Sequence, residues 1–277
     1  MKHAVTFIAA TVLGLVVLGA VFAPIVARHD PVEQDVERRL ESPSRAHLFG
    51  TDGFGRDVFS RVVHGARASL TVGFGAVALA GLIGVAVGLT TAYAGGVADL
   101  IVQRAVDVLM GFPFLVLALI VIVALSPSTL SLTLAIGLGL APHTARLARS
   151  AALPIVEEQY VAAARASGAG PFHVVVFHLL PNTAPAIVAQ LTGYFGAAIA
   201  AEAALSFLGL GVPPPFPSWG RMLQEGTRAY FEAAPWVTLL PGVILSLTVM
   251  SCAVLGDGLR DATQRESALS PRQAPDR

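Results

Sequence analysis

The stretch EEQYVAAARASGAGPFHVVVFHLLPN, residues 157–182, lies between long apolar runs and decides how the rest of the chain is organised. Small side chains at helical spacing predict a short helix over residues 160–167. Gly168 suits the left-handed position that ends a helix, and Pro171 suits the first position of the next one. We expect that second helix to begin at residue 172 and to stop at Pro181. The stretch therefore predicts two short helices joined by a turn, not a membrane span.

The first of these helices is coated with alanine and serine. Small side chains let another surface approach closely, as they do between packed membrane helices. The helix therefore suits a docking element. The alternative that composition leaves open is an ordinary loop between two spans.

The composition is that of an integral membrane protein. Of 277 residues, 55% are hydrophobic and 13% are charged, compared with about 25% charged residues in soluble domains. The mean hydropathy is +0.70. Because 18 basic residues balance 18 acidic ones, the overall charge gives no indication of nucleic-acid binding. The single cysteine, Cys252, can form no disulfide within the chain.

Long runs without charged side chains predict an all-α protein with six transmembrane helices, since about 20 apolar residues cross a bilayer. The expected spans are residues 4–26, 70–93, two within 108–144 that are joined at 126–129, then 183–201 and 234–255. Asp99, Arg104 and Asp107 predict a short polar link before the third span. Residues 4–26 exceed the apolar region of a signal peptide and lack its cleavage pattern, which favours a retained helix over a cleaved leader.

Residues 28–67 are polar and are expected to lie on an aqueous side of the membrane. Gly50 and Gly55 have the spacing of a phosphate-binding loop, but Arg56 and Asp57 replace the Lys and Ser/Thr that such a loop needs. We therefore expect no ATP site here. The residues that follow have one apolar side, which predicts an interfacial helix with a favourable pair of Asp57 and Arg61 one turn apart.

Two side chains beyond the fifth span indicate positions near the membrane surface or the transport path. A carboxylate at mid-bilayer depth is costly, so we expect Glu202 at the end of its span or facing a water-lined path. The structural alternative is an interfacial residue that does not contact substrate. Trp219 follows a proline-rich run in a surface-facing loop and suits the level of the lipid headgroups.

Part of the opening stretch resembles the EAA loop of binding-protein-dependent ABC importer permeases, the segment that in that family docks into a cleft on the ATPase subunit. The matching positions are Ala163, Ala164, Gly168, Leu180 and Pro181. The family's usual Glu falls on Ala162 here, and Glu157 and Glu158 are the nearby carboxylates that could replace it. The resemblance implies that these positions form an ATPase-coupling loop.

Two further motifs make the resemblance more specific. GTDGFGRDVFSRVVHGARASL, residues 50–70, is similar to the segment before the second span in the C-type permease subunit of dipeptide, oligopeptide and nickel importers. LSFLGLG and PSWGRML, residues 205–211 and 217–223, flank a proline-rich run as in the same subunits. The implied architecture is that of a type I ABC importer permease, which is MetI-like.

This resemblance implies partners and a cellular location. The partners are a homologous second permease subunit, two cytoplasmic ABC ATPases that bind ATP and Mg²⁺, an extracytoplasmic solute-binding protein and membrane lipid. The location is the bacterial inner membrane. Lys and Arg residues divide nine to nine between the two sides, so charge does not choose an orientation. The resemblance places both termini and residues 157–182 in the cytoplasm.

The implied organisation has four parts. They are a first transmembrane helix (1–27), an extracytoplasmic segment with an interfacial helix (28–67), a five-helix permease core (68–261) that contains the coupling loop, and a disordered cytoplasmic tail (262–277). We expect no cofactor and no metal site in this chain, because the sequence has no Cys/His cluster with metal-ligand spacing.

The expected function is that of a permease subunit without an ATPase site of its own, which forms half of the pathway for di- and oligopeptides. Nickel or another small solute is an alternative cargo. An ion-coupled secondary transporter is a less favoured alternative, because ionisable residues suited to proton or sodium coupling are scarce within the spans. An intramembrane enzyme would need a catalytic pair within a span, and the sequence offers none.

Overall fold

The computed structural model describes residues 2–269 and shows a helical protein. Its helices are α1 (Lys2–Val21), α2 (Ala23–Val26), α3 (Val58–Ala94), α4 (Gly96–Gly111), α5 (Phe114–Leu125), α6 (Thr129–Val156), α7 (Gln159–Ala166), α8 (Pro171–Val174), α9 (Leu180–Phe207), α10 (Trp219–Ala229) and α11 (Trp236–Leu269). A 3₁₀ turn covers Val36–Arg38, and a π-helical segment covers Val175–Leu179. Residues 2–269 form no β-strand, only an isolated bridge between Thr51 and Asp57. The all-α prediction is confirmed.

Four helical stretches within residues 2–269 are long and apolar enough to cross a membrane, namely Ala4–Val21, Val58–Ala94, Pro171–Phe207 and Trp236–Asp261. Helices α4 and α5 meet at a bend of 92° and supply a fifth span if they cross together. Helix α6 has 28 residues, so at roughly 1.5 Å per residue it also exceeds the thickness of a hydrocarbon core. These helices are consistent with six spans, and that number stays a prediction.

The turn expected between the third and fourth spans lies between α5 and α6. Helix α5 ends at Leu125, and Ser128 caps the start of α6. The Ser131 backbone N–H donates to Ser128 Oγ at 3.0 Å, and the Ser128 N–H donates back to Ser131 Oγ at 2.8 Å. This reciprocal cap satisfies backbone donors that the first turn of a helix leaves open.

Helix α3 packs against α6 at very short range, as its glycines predict. A methyl group built on Gly88 would lie 2.4 Å from the carbonyl oxygen of Ala145, and one built on Gly84 would lie 2.7 Å from that of Ala141. The two backbones therefore touch without intervening side chains. This is the small-residue packing that holds membrane helices together where the hydrophobic effect does not.

Buried layers lie along the whole length of α3. The layer near its start joins Val58 and Val62 to α10 and α11, and the layer near its end joins Leu89 and Ala92 to α6 and to residues 161–187. Between them, α5, α6 and α9 pack around Ala76 and its neighbours. Because α3 has 37 residues, about 55 Å at roughly 1.5 Å per residue, it links two opposite ends of the bundle.

The interfacial helix expected before the second span is not a separate element, because α3 runs unbroken from Val58. Its first turns bury Arg61 and Val62 inside the protein. The expected pair of Asp57 and Arg61 is also wrong. Asp57 instead caps α3, with its Oδ2 accepting a hydrogen bond from the Ser60 N–H at 2.7 Å.

The charged residues expected in a polar link lie within helix α4. The Arg149 guanidinium of α6 makes a bidentate contact with the Asp99 carboxylate, in which Nε donates to Oδ1 at 2.6 Å. One turn before Arg149 in α6, Arg146 pairs with Asp107 of α4. Helical geometry is tolerated here because α6 supplies a counter-charge for each carboxylate.

The C-terminal helix is longer than the sequence indicates. Helix α11 runs to Leu269, so residues 262–269, which were expected to belong to a disordered tail, are helical. Residues 270–277 of that tail lie outside the described residues.

Gly88→Ala is expected to lower the stability of the chain, because the added methyl meets the backbone carbonyl of Ala145, which cannot rotate away. Overpacking of a tight contact costs about 1–3 kcal/mol. The midpoint of thermal unfolding of the detergent-purified protein is the measurement.

Gly14→Ala in α1 is the matched control, since no atom lies within 4 Å of the added methyl. A Gly88→Ala protein that unfolds at the same temperature as Gly14→Ala would contradict the close contact of α3 and α6.

Candidate functional site

Helix α7 ends in a turn that returns the chain toward the bundle. Gly168 has a φ of 87°, in the left-handed region, as predicted. The Gly168 N–H donates to the Arg165 carbonyl, and the Ala169 N–H donates to the Ala164 carbonyl, both at 3.0 Å. This is the Schellman pattern that closes a helix at a glycine. Pro171 is the first residue of α8, also as predicted.

The second helix of this stretch does not stop at Pro181, which corrects the sequence prediction. Helix α8, the π-helical segment and α9 form one helical run, Pro171–Phe207. In the π-helical segment the Leu180 N–H bonds to the Val175 carbonyl, five residues back. This wider turn accommodates a proline ring that would clash with the backbone of an ordinary α-helix. The docking stretch therefore continues directly into a membrane-crossing helix.

Three fully buried side chains anchor this stretch on the ends of α3 and α6. Val161, Val174 and Leu179 are each 0% exposed and pack with residues of those helices such as Leu89 and Ala152. At the surface, the Arg165 guanidinium lies 4.6 Å from the centre of the Tyr93 ring at the end of α3. Movement of this stretch would therefore be transmitted to α3 and α6.

The outward side of the stretch is exposed and largely without charge, and we call it the docking face. It consists of Ala162, Ala163, Phe172, Phe177, Leu180 and Pro181. Ala164 is half-buried beside it, and Gly168 is exposed. Phe172 is 77% exposed, which is unusual for a phenylalanine outside lipid unless a partner covers it. Of the six predicted coupling residues, five are exposed and Ala164 is half-buried; their role in coupling stays a prediction.

Tyr160 and two carboxylates border the docking face. Glu157 and Glu158 are exposed where α7 begins. Partial burial, and to a lesser degree the negative charge of Glu158, raise the pKa of the Tyr160 hydroxyl.

A buried group of charges, which we call the charge network, lies at the opposite end of α3. It consists of Asp52, Arg56, Arg61 and Glu225. Arg56 Nε donates to Asp52 Oδ2, and Arg56 Nη2 donates to Glu225 Oε2, both at 2.7 Å. Arg61, only 1% exposed, donates from Nη2 to the same Glu225 oxygen at 3.1 Å. The charge network ties the loop before α3 to α10.

Sequence patterns did not indicate the charge network, because its partners are far apart along the chain. Arg61 and Glu225 are separated by 164 residues. An arginine on a helix was expected on a solvated face, and here that face is covered by α10. The one available signal was the high charge content of residues 50–61 beside an otherwise apolar span.

Trp219 is buried inside the protein and does not lie in an exposed surface loop; its level relative to the lipid headgroups stays a prediction. It is 0% exposed, and its indole Nε1–H donates to the Val62 carbonyl at 3.0 Å. Its ring contacts Gly65 of α3 and packs with Ile199. The side chain therefore locks α10 against α3 and α9.

Glu202 is fully buried in α9. Ser69 Oγ donates to Glu202 Oε2 at 2.7 Å, and Ser206 Oγ donates to Glu202 Oε1 at 2.6 Å. Helix α9 also continues to Phe207, past the end expected for the fifth span. The geometry favours the structural role for Glu202, since both carboxylate oxygens are satisfied within the protein.

These features define the class of protein. The part of the chain that the structure describes is a bundle of helices, several of them long and apolar enough to cross a membrane. The chain belongs to the family of binding-protein-dependent transport system inner membrane components, which matches residues 81–266. It is an integral inner-membrane permease component of a multi-subunit ABC transporter.

Named relatives match nearly the whole chain. A dipeptide transport system permease protein of Alkalihalophilus pseudofirmus is 40% identical over 94% of this chain and 86% of that protein. A probable D,D-dipeptide transport system permease protein of Escherichia coli is 39% identical over 92% of this chain and 86% of that protein. A glutathione transport system permease protein of Pectobacterium atrosepticum is also 39% identical, over 82% and 75%.

Solved structures share the fold. A chain of the MetNI methionine ABC transporter, in an inward-facing conformation, matches with a TM-score of 0.59 and 24% identity, covering 73% of this chain and 95% of that one. A chain of an amino acid ABC transporter matches with a TM-score of 0.55 and 17% identity, covering 75% and 94%. The MetI-like architecture predicted from the sequence is confirmed.

Asp52→Asn is expected to destabilise the chain strongly. The amide keeps the oxygen that accepts from the loop backbone, but it removes the charge that compensates Arg56 and the buried Arg61. Breaking a buried ion pair by removal of one partner costs about 3–5 kcal/mol. Thermal unfolding of the purified protein measures the loss.

Asp257→Asn serves as the comparison, because Asp257 is 80% exposed and 3.9 Å from its arginine. Its unfolding temperature should match that of the unaltered chain. Equal effects of the two substitutions would mean that the charge network contributes nothing special to stability.

Proposed function

We propose that this chain is a permease subunit of an ATP-driven ABC importer for di- and oligopeptides, and that it forms half of the translocation pathway. The observation that carries the proposal is the docking face, an exposed and largely uncharged surface whose stretch is anchored to the ends of α3 and α6. The names of the relatives in Alkalihalophilus pseudofirmus and Escherichia coli support a peptide cargo. ATP and Mg²⁺ would be bound by partner subunits, not by this chain.

The docking face is the proposed contact with a cytoplasmic ABC ATPase. Ala162 and Ala163 allow close approach of the partner, and Phe172 offers an apolar side chain for its cleft. Ala162 cannot make the polar contact of the family's glutamate. We assign that contact to Glu157 or Glu158, which are exposed at the start of α7.

ATP hydrolysis would be coupled to transport through the buried contacts that hold the docking face on the spanning helices. Val161 and Leu179 lie beneath the docking face and pack on the ends of α3 and α6. Closure of two ATPases around ATP would displace α7, and the buried contacts would pass that displacement to the spans. The spans would be in equilibrium between an inward-open and an outward-open arrangement. Binding of ATP by the ATPases would shift that equilibrium toward one of the two.

The proposed ATPase contact implies an orientation of the chain in the membrane and further partners. Residues 157–170 and both termini would be cytoplasmic, whereas residues 28–57 and α10 would face the extracytoplasmic side, where a solute-binding protein delivers cargo. A homologous permease subunit would complete the pathway, and lipid would cover the remaining apolar surface. We place the complex in the bacterial inner membrane.

In this proposal the solute-binding protein selects the cargo. Nickel or another small solute is therefore the alternative to peptides. The glutathione relative, 39% identical, is a specific reason to test tripeptides beside dipeptides. An ion-coupled transporter would carry solute without ATPases, and it is the outcome that contradicts the proposal.

Ala163→Trp is expected to leave the permease folded and inserted, because Ala163 is exposed. The indole would occupy the space into which the ATPase must fit. We therefore expect the ATPase subunits to be lost when the detergent-solubilised complex is isolated through this chain, and peptide uptake to fall to background. Co-purification and radiolabelled peptide uptake are the measurements.

Ala233→Trp is the matched control, since Ala233 is also exposed but lies between α10 and α11 at the other end of the bundle. Its ATPases should remain bound. Retention of ATPases and full uptake by Ala163→Trp would rule out the docking face as the coupling surface.

A further inference from the structure

Three potential metal-ligating residues meet far from the docking face. His29 follows α2, His47 lies in the loop before α3, and Asp57 caps α3, yet one ligand atom of each lies within 4.8 Å of the others. The His29 backbone N–H donates to Ser60 Oγ at 3.3 Å, which holds that segment beside the start of α3. His29 and His47 are 18 positions apart along the chain, and His47 and Asp57 are 10 apart. The fold therefore brings them together, and no spacing motif marks them.

His47 is oriented like a metal ligand. Its Nδ1–H donates to Asp57 Oδ1 at 2.8 Å, which fixes the ring and leaves Nε2 as the free nitrogen. The residue is 5% exposed, and Nε2 has no hydrogen-bond partner. A buried polar atom without a partner is costly, and a histidine that donates its other N–H to a carboxylate is the usual support of a metal-bound imidazole.

In His29 too, one ring nitrogen donates a hydrogen bond and the other keeps its lone pair. The Ala46 carbonyl can only accept a hydrogen bond, so His29 Nε2, 3.1 Å away, is the donor and Nδ1 keeps its lone pair. The His29 and His47 rings stack with their centres 4.7 Å apart. Each imidazole therefore has one nitrogen held by an oxygen and one available for a ligand.

The two histidines line a cavity of about 220 Å³ with a negative wall. The other acidic residues of this wall are Asp30, Glu33 and Asp35, and the one basic residue is Arg38. The acidic excess favours a cation. Imidazole and carboxylate oxygen together suit Zn²⁺ and its neighbours among the divalent transition metals.

We propose that His29 and His47 bind one divalent transition-metal ion of the Zn²⁺ class, with Asp57 as the carboxylate that orients His47. Because the two rings are stacked, their free nitrogens do not yet point at one ion, and the half-exposed His29 ring must turn so that both nitrogens reach Zn²⁺ at about 2.0–2.1 Å. A carboxylate of the cavity wall or water completes four-coordination. The ion would fasten residues 28–35 to the start of α3, beside the charge network.

Direct metal binding tests the proposal. The full-length chain, purified in detergent through a tag without histidine and stripped with a chelator, is titrated with Zn²⁺ against a chromophoric zinc indicator. We expect one ion per chain and a higher unfolding temperature with Zn²⁺, because an ion that binds only the folded state stabilises it. Co²⁺ should give the visible absorption of a tetrahedral site with nitrogen ligands.

Two variants locate the site. His29→Gln, at a half-exposed position, should weaken Zn²⁺ binding at least about tenfold and remove the Zn²⁺-dependent rise in unfolding temperature. Asp57→Asn can still cap α3, since asparagine caps as well as aspartate, and should weaken binding by about 10–100-fold. His64→Gln is the control and should bind as the unaltered chain does, because His64 Nδ1 is committed to the Ser60 carbonyl within α3.

Absence of Zn²⁺ binding by the unaltered chain would overturn the proposal and leave His47 and Asp57 as a structural pair. Binding that His29→Gln leaves unchanged would overturn it equally. The docking proposal is untouched by either result, since it is measured by ATPase co-purification.

Discussion

The close contact between α3 and α6 is the constraint on which the rest of the structure depends. In lipid, apolar side chains gain little from contact with one another, so helices associate through tight packing and satisfied polar groups. Gly84 and Gly88 bring the α3 backbone against that of α6, and the paired Asp99 and Arg149 add a polar clamp between α4 and α6. Close-packed helices shift between discrete arrangements instead of deforming smoothly.

Helix α3 connects two ends with different chemistry. At its start, the buried charge network and Trp219 fix it to α10, which makes that end rigid. At its end, mainly apolar packing among residues such as Leu89 and Val161, with one cation–π contact of Arg165 on Tyr93, holds the docking stretch. Apolar contacts are non-directional, whereas buried ion pairs require defined geometry. This distribution would let the end with the proposed ATPase contact move while the far end stays aligned.

Local features of this chain could be predicted from sequence, and contacts between distant residues could not. Charge-free runs marked the spans, and the left-handed Gly168 followed from helix-ending chemistry. Pro181 was misjudged because a π-helical turn just before it lets the helix continue. Trp219 was placed at the surface because tryptophan often lies there, and only the fold shows α3 and α9 covering it. The pairing of His29 with His47 likewise depends on the path of the chain around α3.

Accessibility of the docking face from each side of the membrane tests the central claim most directly. A chain with Cys252→Ala, which removes the single cysteine, and Ala163→Cys would carry one thiol on the exposed side of α7. A membrane-impermeant maleimide should leave this thiol unlabelled in intact spheroplasts and should label it in inside-out vesicles that lack bound ATPase. Labelling in intact spheroplasts would place the docking face outside the cell, where no ATPase can reach it, and would contradict the account.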